Sequence, residues 1–277
     1  MNANSKLKTS KINYWLKDAA EQLADVGIPS ALLDAEIILA HTVRKSRTWL
    51  HAHSDDEMTA RELEIANARL DLRLDRTPIA YIIGHKEFYT RLFKVTPSVL
   101  IPRPESEDII TLLKQLNLPG NPRLIDVGTG SGCLGISAKL ERPELDVTLV
   151  DIDRHALTIA TENATNLRAD VAIMRSNLLD SAPGTFDVII ANLPYVDKSW
   201  ERSPETDYEP SLALFADDHG LALIVKLLEQ LPVALSPRGY ALLEADPEQH
   251  SSIIKKAKAL GLSHRQTEGY IVVLQRD

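Results

Sequence analysis

Apolar residues in the first quarter of the chain return at steps of three and four. Ile12, Trp15, Leu16, Ala19, Leu23 and Val26 form one amphipathic stripe, and Gly27 after it is a C-terminal stop. A second helix starts behind Ser30 as its cap and takes its apolar face from residues 32–39, while Ser46 caps a short third segment carrying Trp49 and Leu50. Ser54 with Glu57 has the spacing of a capping box. It opens a longer helix to Leu74, with Leu63, Ala66, Leu70 and Leu74 inward and charges outward. Residues 12–75 therefore predict a small helical bundle. His51 and His53, two apart, diverge on a helix and read as solvated side chains rather than a metal pair.

From Arg76 to Pro104 the pattern changes to aromatic and β-branched residues with turn breakers, which predicts a hairpin linker. It ends in Ile101-Pro102-Arg103-Pro104-Glu105-Ser106-Glu107, where two prolines stiffen the chain before a helix with an acidic first turn. An arginine between two prolines is expected to aim its guanidinium at a site entrance. Beyond it, short apolar runs at 124–127, 147–151, 171–174, 186–191 and 239–244 alternate with helical stripes at 134–140, 156–164, 220–231 and 253–260. That alternation predicts a parallel sheet, with two last strands near 262–266 and 270–274 as an antiparallel edge.

Composition adds limits. A chain of 277 residues with 44% hydrophobic content supplies cores for two domains. A net charge of -8 argues against phosphate-backbone contacts as the main source of affinity, so no direct nucleic-acid partner is expected. The single cysteine, Cys133, excludes an intrachain disulfide, suits packing at a loop-to-helix turn, and fits a reducing cytoplasm. The first eleven residues are polar and basic, and no run approaches membrane-spanning length, so a loose tail and neither secretion nor membrane insertion are expected.

The candidate chemistry begins where the 124–127 strand opens into Asp126-Val127-Gly128-Thr129-Gly130-Ser131-Gly132. Glycines here allow positive φ and let the backbone approach a bound molecule. Gly130-x-Gly132-x-x-Gly135 also satisfies the dinucleotide fingerprint. A pyrophosphate, however, would meet the carboxylate of Asp126, whereas the cationic S-adenosyl-L-methionine would be attracted to it. Gly128, Thr129, Gly130, Ser131 and Gly132 are thus expected at a cofactor site. Asp151 ends the next apolar run and suits ribose hydroxyls; Asp153 suits a helix cap. Asn177 and Leu178 follow the third strand, where Leu178 could cover adenine and Asn177 bond its exocyclic amine, or both could be loop packing.

The fourth strand runs into Asn192-Leu193-Pro194-Tyr195. An amide or exocyclic amino nitrogen is a poor nucleophile because its lone pair is delocalised. Two rigid acceptors aimed at its N–H groups can localise that pair and point it at a sulfonium methyl. The Asn192 side-chain oxygen and the Leu193 carbonyl are suitably spaced for this, with Asn192 also beside the cofactor. Pro194 stiffens the loop and Tyr195 offers a ring face. A plain Asn-x-Pro turn ending a strand is the bland alternative.

These motifs together resemble the release-factor glutamine methyltransferases, called HemK or PrmC. The similarity covers almost the whole chain, through Pro78-Ile79-Ala80-Tyr81, Gly84, Glu87-Phe88-Tyr89, Ile101-Pro102-Arg103-Pro104-Glu105, the Asp126 to Gly132 loop, Glu209-Pro210 and Leu212-Ala213-Leu214. The resemblance implies an α/β class I methyltransferase dependent on S-adenosyl-L-methionine, with a Rossmann-like seven-stranded sheet and an N-terminal helical bundle. Residues 1–76 would recognise substrate, 77–103 would be the hairpin linker and 104–277 the catalytic domain. The implied substrate is the glutamine of the Gly-Gly-Gln motif in peptide-chain release factors, methylated at N5 by a cytoplasmic monomer without metal or membrane. Two departures stand out. The family's Asn-Pro-Pro-Tyr is Asn192-Leu193-Pro194-Tyr195 here, and Leu243-Glu244-Ala245-Asp246 replaces a family tendency to Glu-Ile-Gly, a change expected not to touch catalysis. Asn-Leu-Pro-Tyr also resembles the ribosomal-RNA adenine N6-dimethyltransferases, which stay open as an alternative, as does a non-catalytic cofactor-binding scaffold. The acidic charge, the Arg103 motif and a helical domain placed first speak against the dimethylases.

Overall fold

Trp15 is wholly buried in helix α1 (Ile12–Asp25), and its indole N–H donates to Asn67 Oδ1 at 2.8 Å. Around it the computed structural model, which describes residues 11–118 and 120–277, builds α2 (Ala31–Val43), α3 (Arg47–Ala52), α4 (Ala60–Leu74) and α5 (Ile79–Ile83). Ile12, Leu23, Ile38, Leu39, Leu50 and Leu70 belong to that core. The tail expected over the first ten residues lies outside the described residues.

Three local readings change. The capping box of α4 is Thr59 with Glu62, not Ser54 with Glu57: Thr59 Oγ1 accepts from Glu62 N at 3.2 Å and Glu62 Oε2 accepts from Thr59 N at 2.8 Å. Ser54 instead offers its carbonyl to Asn13 N at 2.9 Å, so this stretch is used to brace α1 before α4 starts. On α2 the helical period turns Leu32 and Leu33 to solvent and buries Asp34 and Glu36. Those two charges are tolerated because each is paired: Asp34 with Arg73 at 2.7 Å, Glu36 with Arg47 at 2.6 Å and with His51 at 3.0 Å. The histidines are therefore held rather than merely solvated, His53 stacking on Trp49 with ring centroids 4.1 Å apart.

The chain divides after Gly84, the second unit being His85–Asp277. The expected linker is thus shared out. Residues 79–83 form α5, closed by Gly84 at φ 79°, and the hairpin is shorter: β1 (His85–Phe88) and β2 (Arg91–Lys94). Tyr89 and Thr90 make its tight turn at φ 45° and 65° without glycine.

The rest of this unit runs α6 (Glu107–Gln115), β3 (Arg123–Val127), α7 (Cys133–Glu141), β4 (Asp146–Asp151), α8 (Arg154–Leu167), β5 (Ala172–Arg175) and β6 (Phe186–Ala191). It continues with α9 (Ser211–Leu214), α10 (Ala222–Ala234), β7 (Leu235–Glu244), α11 (His250–Ala259), β8 (Leu262–Glu268) and β9 (Ile271–Arg276). The seven-stranded sheet has the order β5-β4-β3-β6-β7-β9-β8; neighbours are parallel as far as β7, and β9 is antiparallel to both β7 and β8. Successive residues such as Ile189 and Ile190, or Val272 and Val273, enter different apolar clusters. One cluster includes α10 and α11, the other α6, α7 and α8. Both faces are covered, which is why these strands read as continuous apolar runs.

Strand order reverses between β3 and β6, so the chain leaves their carboxyl ends in opposite directions and opens a crevice there. The buried side chain of Asn163 stitches the hairpin to this edge. It accepts from Lys94 N at 2.7 Å and donates to Lys94 O at 3.0 Å and Ser131 O at 2.8 Å. Among the described residues no helix is long and apolar enough to cross a membrane.

Candidate active site

Past β3 the glycine loop folds back on β4, with Gly128 N and Thr129 N both donating to Val150 O at 2.9 and 3.0 Å. Asp126 lies beneath it, fully buried; its Oδ2 accepts from Thr129 Oγ1 at 2.6 Å and Gly135 N at 2.9 Å. Burial pushes its carboxyl up to about 6, against the pull of those hydrogen bonds. The expected attraction of a cation at this acid needs correction, because Asp126 is no part of the cavity wall and acts as the clasp that shapes the loop. Gly132 also changes role. At φ 83° it caps α7, where a Cβ would meet Ile136 Cδ1 at 2.7 Å, and it does not line the cavity.

Gly128, Thr129, Gly130 and Ser131 do line a cavity of about 180 Å³, together with Asp151, Leu178 and Asn192. Asp151 accepts from Gly130 N and from Asp153 N, both at 2.9 Å, one on each oxygen, and burial raises its pKa. The carboxylate also lines the cavity, where it can face a hydroxyl donor. Asp153 is the cap of α8, accepting from His155 N at 2.8 Å, as expected. Asn177 Nδ2 donates to Asp180 Oδ2 at 3.1 Å, which leaves its Oδ1 as the accepting end. Ile152, 44% exposed, shares this wall and was not singled out from sequence, although an apolar residue just past an acidic strand end was its signal. The Cys133 thiol, pushed up to about 12 by burial, stays protonated. Of the residues lining the cavity the one cation is Arg103, and it is paired with the buried Glu209. The donor set thus suits a nucleoside carrying a positive charge and offers little to a pyrophosphate.

A second cavity, about 270 Å³, adjoins the first. The two share Leu100, Arg103, Asn192, Leu193, Pro194 and Ala213, so the segment after β6 is their common wall. Arg103 indeed stands at both, held by Glu209, whose other oxygen takes Ile101 N–H at 3.1 Å. Asn192 Nδ2 donates to Ser106 Oγ at 3.0 Å, leaving Oδ1 as the accepting end of that amide. Tyr195 lines only the second cavity; its hydroxyl donates to Glu244 Oε1 at 3.3 Å, and burial beside that carboxyl raises the phenol pKa, keeping it protonated. Its carbonyl is fixed by Gln249 Nε2 at 2.9 Å, which also donates to His219 O at 2.9 Å.

Glu244, expected not to touch catalysis, is 1% exposed and lines the second cavity. The parallel register of β7 on β6 brings its carboxyl end beside the Asn192 segment. Burial lifts its carboxyl to about 7, while the Tyr195 hydroxyl and the nearby Ser106 and Asn192 side chains act the other way. Ser106, Glu244 and Gln249 carried no local signal as site residues. Among the described residues no cluster of His, Cys, Asp or Glu could hold a metal ion.

Residues 14–84 match the family described as PrmC N-terminal domain, and residues 109–205 the family described as methyltransferase small domain. The chain is 38% identical over 241 residues to the release factor glutamine methyltransferase of Koribacter versatilis, covering 83% of this chain and 86% of the relative. It is 34% identical to the protein of that name in Escherichia coli, with 87% of each chain covered, and 35% identical to the Leptospira interrogans one, with 91% and 92% covered. Among solved structures a methyltransferase from Pyrococcus furiosus superposes with a TM-score of 0.53 at 22% identity, over 75% of this chain and 96% of that one. A Thermus thermophilus 16S rRNA methyltransferase in complex with AdoMet and guanosine gives 0.51 at 16% identity, over 70% and 49%. At those identities the structural likeness speaks for the fold alone.

Proposed function

The chain belongs to the release factor glutamine methyltransferase family, and from that premise we propose that it methylates the side-chain amide nitrogen, N5, of the glutamine in the Gly-Gly-Gln motif of peptide-chain release factors. It is a class I methyltransferase dependent on S-adenosyl-L-methionine. The observation that carries the reading is the Asn192–Leu193–Pro194 wall shared by the two cavities.

When bound, the cofactor supplies an electrophilic methyl on a sulfonium. Asp151 would accept from the ribose hydroxyls, the Gly128, Thr129, Gly130 and Ser131 backbone would allow close approach, and Ile152 and Leu178 would offer apolar surface to the adenine. Asn177 Oδ1 would accept from its amine. On the other side of the wall, Asn192 Oδ1 and the Leu193 carbonyl accept the two N–H bonds of the substrate amide and turn its lone pair out of conjugation. Pro194 limits the loop's freedom, and the Tyr195 ring gives the planar amide a surface to lie on. An N-methylated amide cation sheds its proton readily, so no strong base is required at this step. The N-terminal helical unit would recognise the release factor; the enzyme would act as a monomer in the cytoplasm, without membrane or nucleic-acid contact.

Incubation with methyl-labelled cofactor and either release factor or ribosomal subunits tests this. The label should enter release factor at the Gly-Gly-Gln glutamine, and Asn192→Ala should slow transfer roughly 100-fold while cofactor affinity holds. Label in ribosomal RNA would move the reading to an adenine dimethyltransferase, and no transfer to either would leave a binding scaffold. The acidic charge and the names of the relatives favour the protein substrate.

A further inference from the structure

Glu244 carries a feature that the methyl-transfer scheme leaves unused. Its Oε1 accepts from Tyr195, but Oε2 is buried with no hydrogen-bond partner among the described residues. A buried carboxylate oxygen without a donor is costly unless it serves something nearby. The Ser106 hydroxyl and the Asn192 amide, themselves bonded to each other, lie near this carboxyl and favour its charged form.

We propose that Glu244 is a positioning residue which, acting through Ser106, decides which end of the Asn192 amide faces the substrate. The inference rests on the role given to Asn192 above. Ser106 Oγ has one proton and accepts from Asn192 Nδ2 at 3.0 Å. While Glu244 is an acceptor only, the Ser106 proton turns toward it, and the serine lone pairs are left for Asn192 Nδ2. Asn192 Oδ1 then has to be the end presented to the cavity. Once Glu244 is protonated it can donate to Ser106, whose own proton is freed to bond Asn192 Oδ1. The amide then reverses and offers N–H groups where the substrate amide needs acceptors.

The groups facing Glu244 leave this control to it. From the segment 101–107 come Arg103, paired with Glu209, and Glu105; from the loop after β6, Tyr195; beyond β7 and β8, Asp246 and Tyr270. Glu201 and Arg202 line the same cavity, Arg202 being paired with Asp207. Burial holds Glu244 at about 7, so the ionised form grows in above that pH and is lost below it.

The test is the pH dependence of single-turnover methyl transfer to release factor, with saturating cofactor, in the wild type, Glu244→Gln, Ser106→Ala and the double variant. The wild-type rate should rise through a limb near 7. Glu244→Gln should lose that limb and turn over roughly 10-fold or more slowly, because the glutamine can serve Ser106 as donor or acceptor and no longer dictates the amide. The affinity for S-adenosylhomocysteine and the thermal midpoint should stay near wild type. The double variant should be no slower than the slower single one, since both act along one chain of contacts. If Asn192→Ala is slow but Glu244→Gln keeps the wild-type rate and limb, Glu244 has no such role and the Asn192 reading survives. If Asn192→Ala itself is as fast as wild type, the reading beneath it falls. Should Glu244→Gln not fold, a wild-type profile flat from pH 6 to 8 would by itself overturn the proposal.

Discussion

Leu193 Cδ2 lies against Gly128, only 2.8 Å from the place a Cβ on that glycine would occupy. The glycine loop after β3 and the Asn192 loop after β6 are therefore packed on each other at the point where the sheet reverses its strand order. Gly128 also sits at φ 72°, where an L-residue is strained by about 1–2 kcal/mol. Gly128→Ala should thus displace Leu193 and distort both loops. Calorimetry should find S-adenosylhomocysteine bound roughly 10-fold or more weakly, and wild-type affinity would show the contact to be slack.

Asp151→Ala removes the acceptor proposed for the ribose and also frees the Gly130 N–H that it holds at 2.9 Å. A loss of about 1.5–3 kcal/mol in cofactor binding is expected, the range for hydrogen bonds to a charged group. The same titration of S-adenosylhomocysteine measures it. Unchanged affinity would remove Asp151 from the site.

Asp126 makes a prediction about stability rather than binding. Its folded carboxyl stands at about 6 against an ordinary 3.8, so between those values the folded state holds more protons than the unfolded one. Stability from this residue falls as pH rises through that window and is flat above it, a difference of ~3 kcal/mol. Asp126→Asn can still accept from Thr129 and Gly135 through its oxygen, and it cannot ionise. Denaturant unfolding at pH 4 and pH 7 should show a smaller loss of stability in the variant than in the wild type. Equal losses would mean that the buried acid is compensated elsewhere.

How much of this was open to a reader of the sequence follows from which forces act locally. The parallel strands were legible because β3, β4 and β6 are buried on both faces, and branched apolar runs have no other soluble use at that length. The start of α4 was not. Ser54 with Glu57 and Thr59 with Glu62 share one spacing, and the choice was made by the bond from Asn13 N to Ser54 O. Glycine roles were equally hidden: Gly130 and Gly132 look alike in sequence, yet a Cβ on the first meets nothing within 4 Å and on the second meets α7 and α8. Ser106 and Glu244 lie far apart along the chain and come near each other only through the packing of α6 against the end of β7. A periodicity argument has no access to that.

Leu193 is where this chain leaves its family's Asn-Pro-Pro-Tyr, and the structure shows what the leucine does. It is 4% exposed and joins the apolar cluster that includes Ile189, Leu227 and Leu243, with its end over Gly128. Leu193→Pro keeps the backbone carbonyl that the mechanism uses. It also stiffens the chain, a gain of about 0.4–1 kcal/mol if the native φ suits proline. Against that stands the loss of leucine packing, about 1–3 kcal/mol for a buried side chain cut back in part. The second effect is larger, so the variant should unfold at a lower temperature while methylating release factor at close to the wild-type rate. No activity on ribosomal subunits should appear, because nothing in the change adds a base-binding surface. A thermal melt and the labelled-methyl assay, run on the same preparation, separate the two effects. Activity lost in a protein that melts like the wild type would place the leucine side chain or its N–H in the chemistry, and the carbonyl alone could then no longer account for this position.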